Sequence, residues 1–111
     1  MEDKIIDLEV ALERLGGDKE FLLELFDELN DQMDPTISDL KTAIETADYD
    51  QLRSVAHGMK GASSNLGADK ISSYFKELEE MGRNKSADGA KEIIGKIKQA
   101  HIEILDILKT I

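Results

Sequence analysis

From Leu22 to Ile44 the apolar residues recur at intervals of three and four: Leu22, Leu25, Phe26, Leu29, Met33, Ile37, Leu40 and Ile44. That period belongs to a helix buried along one stripe, and nowhere does the chain show the alternation of a half-buried strand. The stripe runs straight through Pro35, the sole proline. A proline there removes the bond to the Asp31 carbonyl, so a kink or a brief interruption is expected, but not a true loop. Ahead of this stripe, Ile6, Leu8, Ala11, Leu12 and Leu15 predict a short first helix, stopped by Gly16-Gly17, with Asp18 capping the long one. Asp48 and Gln51 have the spacing of a capping box at the head of the next helix, from about Tyr49 to Leu66, which Gly67 stops. Asp69 then caps a helix with the stripe Ile71, Tyr74, Phe75, Leu78 and Met81, ending at Gly82. A polar linker, Arg83 to Gly89, leads to a last helix from about Ala90 to the C-terminus, with Ile93, Ile97, Ala100, Ile104, Leu108 and Ile111 on its apolar side. Short connections between long amphipathic helices favour antiparallel neighbours. The expected architecture is all-α: one domain over residues 1–111, an antiparallel up-down-up-down four-helix bundle with a short N-terminal helix across one end.

Composition removes several classes of function. The chain has no cysteine, which excludes disulfides and thiolate metal sites and suits a reducing compartment. It has no apolar run long enough to span a membrane, and Met1 to Ile5 lacks the basic and apolar regions of a signal peptide. A cytoplasmic protein without a membrane partner is expected, and the Met1 start fits a free-standing one. The net charge of −10 disfavours nucleic acid, whose phosphates a binder must neutralise. The acid is unevenly placed: Gln51 to Ala68 contains no Asp or Glu but holds Arg53 and Lys60, so this segment carries +2 and the remainder −12. A local lack of acid favours an incoming anion.

That segment contains His57. On a wheel of 100° per residue, Leu52, Val55, Ala56, Met59, Ala62, Ser63 and Leu66 share the buried sector. His57 falls roughly 160° from its centre and is predicted to face solvent. Arg53, Lys60, Gly61 and Ser64, at three, four or seven residues from His57, are its neighbours on the surface. Gly58 and Gly61 sit inside the helix, where each costs about 0.5–1 kcal/mol relative to alanine. Gly61, one turn beyond His57, clears room for a partner to approach the imidazole. A neutral imidazole can attack phosphorus, and Lys60 can stabilise phosphoryl oxygens. A metal reading lacks ligands, since His101 is the only other histidine and no HxxxH or HExxH pattern is present. A hydrolase reading fails on distance, because Ser64 lies about two turns from His57. His101 falls in the sector of Ile97, Ile104 and Leu108 and reads as a core-edge histidine satisfied by a neighbour.

The pattern His57-x-x-Lys60-Gly61-x-Ser63-x-x-x-Gly67, flanked by Ala56 and Ala68, resembles the histidine phosphotransfer (HPt) domains of multistep phosphorelays. The resemblance covers nearly the whole chain. It implies that His57 accepts a phosphoryl group from an aspartyl phosphate on a response-regulator receiver domain and passes it to another receiver. It implies no cofactor on this chain: the receiver brings an acidic pocket and Mg2+. The implied catalytic set is His57, Lys60, Gly61 and Glu79; Arg53, Gly61 and Ser64 would bind the partner, and a hybrid histidine kinase is a further candidate partner of a monomeric carrier. Glu79 corresponds to the family position that hydrogen-bonds the second imidazole nitrogen, leaving the other as nucleophile. On its own wheel it lies about 100° from the apolar stripe, at the rim. Met59 stands where many members have leucine.

Two other readings stay open at the level of sequence. The chain could be the phospho-donor domain of a chemotaxis-type histidine kinase, which shares bundle and motif and takes phosphate from a separate kinase domain. It has no glycine-rich nucleotide-binding stretch of its own. Alternatively it could be a helical docking module that is never phosphorylated.

Overall fold

A computed structural model describes Ile6 and residues 8–110. Its described residues form five helices: α1 (Leu8–Arg14), α2 (Lys19–Glu45), α3 (Tyr49–Asn65), α4 (Asp69–Arg83) and α5 (Ala90–Leu108). Ile111, expected on the last stripe, and Met1 to Ile5 lie outside the described residues.

Helices α2 to α5 each pack on the next, and α5 returns to α2, closing a four-helix bundle. The antiparallel order is visible in the contacts. The start of α3 meets the end of α4 at Gly82, and Asn30 of α2 reaches His101 far along α5. Helix α1 packs on α2, and Arg14 Nη1 donates to the Ser64 carbonyl at 2.7 Å, tying α1 to the end of α3. The enclosed core is built from the anticipated stripes: Leu22, Phe26, Met33 and Leu40 of α2, Leu52 and Ala56 of α3, Ile71, Phe75 and Leu78 of α4, and Ile97 and Ile104 of α5 are essentially inaccessible to water.

Three local expectations are corrected. Of the kink or brief interruption expected at Pro35, the interruption is absent: helix α2 runs through it, and no loop forms, as expected. Pro35 and Asp31 are both exposed, so water can satisfy the orphaned Asp31 carbonyl and the lost bond is tolerated. The N-cap of α4 is Ala68, with no side-chain cap; Asp69 is the first helical residue, where its charge still favours the helix N-terminus. Gly82 does not end α4, which continues to Arg83. Gly82 is instead a packing residue: a Cβ there would lie 2.7 Å from Arg53 N, 2.8 Å from Arg53 Cβ and 2.8 Å from Tyr49 O. Its bare backbone lets α4 close directly onto the first turns of α3.

The caps are partly as anticipated. Asp18 Oδ1 accepts from Phe21 N at 3.0 Å, and Asp48 Oδ1 accepts from Gln51 N at 3.1 Å. The capping box at Asp48 is half formed, because the Asp48 N–H donates to the Ala43 carbonyl, not to Gln51. That bond, with Ala47 at φ 54°, closes α2 in a Schellman turn. Gly67, at φ 73°, ends α3 in the same way, the Ala68 N–H reaching the Ser63 carbonyl.

Candidate functional site

His57 projects from the middle of α3 with its side chain 68% exposed, as the wheel predicts. Facing it across the α3–α4 seam is Glu79, which the sequence places at the rim and the structure buries to 5% exposure. A carboxylate is expensive to bury alone. Here each oxygen has a partner: Oε2 lies 2.5 Å from His57 Nδ1, and Oε1 accepts from Lys60 Nζ at 2.7 Å. The Lys60 hydrogen bond is the largest influence holding the Glu79 carboxyl below its ordinary range; burial opposes it and the His57 hydrogen bond adds to it. Glu79 is therefore ionised and can only accept, so His57 Nδ1 carries the proton. Nε2 is left with its lone pair and, among the described residues, no partner.

Two features hold this arrangement in place. Lys60 is anchored one turn beyond His57 on α3, and its carbonyl accepts from Ser72 Oγ of α4 at 2.9 Å. On the other side of Glu79, Gly82 brings α4 into backbone contact with α3. Glu79 is thus fixed between two points where the helices are joined.

Gly61 is exposed, and a Cβ placed on it would meet nothing within 4 Å. Internal packing does not require a glycine here, and the surface beside the imidazole is open. The same holds at Gly58. Ser63 of the motif is fully buried, and its Oγ has no hydrogen-bond partner among the described residues. Ser64 is half-buried, and its carbonyl holds Arg14.

Beside His57 lies a groove of about 480 Å³, whose walls include Arg53 as predicted, and Glu79. Arg83, Asp50 and Ser54 also line it, and sequence reasoning missed all three. A signal for Arg83 was present: it stands four residues beyond Glu79 and so shares its helix face. The absence of acid read from Gln51 to Ala68 does not persist in space, because Asp50 lies just outside that window and Glu79 arrives from another helix. What survives is a groove in which Arg53 and Arg83 are available to an anion while the Glu79 charge is already shared by Lys60 and His57. Among the described residues no three His, Asp or Glu side chains gather as a metal site.

His101 behaves as the core-edge residue expected. It is half-buried, with Nε2 2.6 Å from Asn30 Oδ1, and burial pushes its pKa down while Asp34 pulls it up. No described helix is long and apolar enough to cross a membrane.

Comparison with known proteins places the chain among histidine phosphotransfer domains. The family model for the Hpt domain matches residues 20–107. The Multistep phosphorelay regulator 1 of Schizosaccharomyces pombe is 33% identical over 63 residues, 57% of this chain and 21% of that protein, so the chain spans about a fifth of that relative's length. The crystal structure of histidine-containing phosphotransfer protein B (HptB) from Pseudomonas aeruginosa superposes with a TM-score of 0.84 at 26% identity, over 98% of this chain and 95% of that one.

Proposed function

The chain belongs to the Hpt domain family, and from that premise we propose that it is a phosphoryl carrier in a phosphorelay, with His57 the residue that is phosphorylated. The observation that carries this reading is the bond between Glu79 and His57 Nδ1, which leaves Nε2 exposed as the nucleophile.

The Nε2 lone pair attacks the phosphorus of an aspartyl phosphate on a receiver domain. The N–P bond forms as the P–O bond to the aspartate breaks, and the aspartate departs as a carboxylate. The imidazole keeps its Nδ1 proton and gains positive charge, which the Glu79 carboxylate offsets at 2.5 Å. Transfer to the next receiver reverses these steps. An ammonium has three donors, and Lys60 spends one on Glu79, so it can still reach a phosphoryl oxygen. Arg53 and Arg83 supply charge on the groove side, and Gly61 admits the receiver's loops. The divalent metal for the transfer belongs to the receiver, and Mg2+ is the ion we assign to it.

Response-regulator receiver domains are the partners of this family, and a hybrid histidine kinase is the proposed upstream donor. A bundle that closes its own core supports a monomeric carrier of one domain, and the cytoplasm is the compartment we assign to it. The test is direct. Incubated with a phosphorylated receiver, the chain gains an acid-labile, base-stable phosphate. His57→Gln abolishes the label and His101→Gln retains it; a label that persists in His57→Gln overturns the assignment.

A further inference from the structure

A second cleft, of about 380 Å³, lies between α2 and α5 and shares no lining residue with the His57 groove. Lys41 of α2 and Lys91 and Lys98 of α5 surround it. Three lysines converge here in a chain whose net charge is −10. Glu45 is the one acid on the cleft wall, and none of the three lysines forms an ion pair with a described residue. The crowding is marked at Lys41: the neighbouring Lys98 ammonium pushes its pKa below the ordinary lysine value, and the Glu45 charge only partly opposes this. Three like charges with a single carboxylate, Glu45, to oppose them favour an anion between them.

The wall between the lysines is apolar. Ile94 is 2% exposed, and Ile44 is partly buried against the core. Gly95, also on this wall, sits inside α5, where glycine is a poor helix former. A Cβ at Gly95 would meet nothing within 4 Å, so no neighbouring element demands its absence. The glycine instead keeps the α5 side of the cleft low.

Size and charge select the ligand. The volume is that of a small-molecule site. An extended polyanion or an anionic membrane meets the repulsion of the whole chain, whereas a compact anion within a Debye length of about 8 Å responds mainly to the three lysines. Lysine ammoniums act on phosphate as point charges, and the partly exposed Ile44 suits an organic body. We propose that the α2–α5 cleft binds a small organic polyphosphate of the nucleoside-diphosphate type, its phosphates on Lys41, Lys91 and Lys98 and its organic part over Ile44 and the bare backbone of Gly95. Such a ligand binds without covering His57, so it and a receiver can occupy the chain together.

The test is a ¹H–¹⁵N NMR titration of the full chain with ADP, with pyrophosphate and sulfate as separate arms. Saturable shifts centred on Lys41, Ile94, Gly95 and Lys98 are expected, with ADP tighter than pyrophosphate and sulfate weakest. Lys41→Gln with Lys98→Gln should weaken ADP binding at least roughly tenfold, the scale of losing a charged hydrogen bond. Gly95→Leu, which favours the helix while filling the cleft, should weaken it too, and phosphoryl acceptance by His57 should be unchanged in both variants. Shifts that do not saturate, that spread over all lysines or that centre on Arg53 and Arg83 overturn the site. Sulfate matching ADP, or pyrophosphate matching it, overturns the ligand class.

Discussion

Glu79 is the residue on which the site turns. Its pKa is lowered from the ordinary 4.5, chiefly by the Lys60 hydrogen bond. A carboxyl whose folded pKa is depressed adds stability that is fully present above the unfolded value and is lost as pH falls through the folded one. Compared by chemical denaturation, the wild type should exceed Glu79→Gln in stability at pH 7, and the gap should close below pH 4.5. The same substitution should slow phosphoryl acceptance at pH 7 without abolishing it, since the amide oxygen of the glutamine can still accept from Nδ1–H but cannot offset the charge. Ser63 gives the opposite case. Its hydroxyl is buried without a partner among the described residues, so Ser63→Ala removes an unsatisfied group and should leave stability unchanged or raise it by about 1 kcal/mol. Equilibrium unfolding checks this, and a loss of more than that amount would reveal a bond to Ser63 Oγ.

At the scale of elements, α3 and α4 act as one piece because Gly82 has no side chain. Gly82→Ala would drive a Cβ into the Arg53 and Tyr49 backbone, separating the helices at a cost of about 1–3 kcal/mol. Because Glu79 lies one turn away, phosphoryl acceptance should fall along with the melting temperature. The end of α2 offers the reverse. Ala47 holds φ 54°, a conformation costing a non-glycine residue about 1–2 kcal/mol. Ala47→Gly should therefore stabilise the protein, by about 0.5–1 kcal/mol once the greater freedom of the unfolded glycine chain is counted, as measured by urea unfolding. These positions also mark how far the sequence could be read. The stripes of α2 to α5, the caps at Asp18 and Asp48 and the exposure of His57 follow from the period within one helix. Gly82 reads as a helix stop when only its own helix is considered, because what it touches is on α3. Pro35 reads as a kink or a brief interruption because the bond it removes is local to α2, whereas the burial of Met33, Thr36 and Ile37 around it comes from the other helices.

For the whole molecule, the relevant quantity is charge. A net −10 on a small bundle repels itself, and salt shortens that repulsion from about 30 Å at 0.01 M to about 8 Å at physiological strength. The melting temperature should rise when salt is raised over this range; a fall would mean that the Lys60–Glu79 pair outweighs the collective term. The site escaped full reading at this scale too. His57 and its motif are local and legible, whereas the groove that joins Arg53, Arg83 and Asp50 depends on the register of two helices. The burial of Glu79 depends on the same register.

Glu79 serves Lys60 with one oxygen and His57 with the other. A single proton on that carboxyl would loosen the lysine and unsettle the imidazole together, so the two contacts weaken along one titration. Acidification of its surroundings would dim the carrier gradually and through one group.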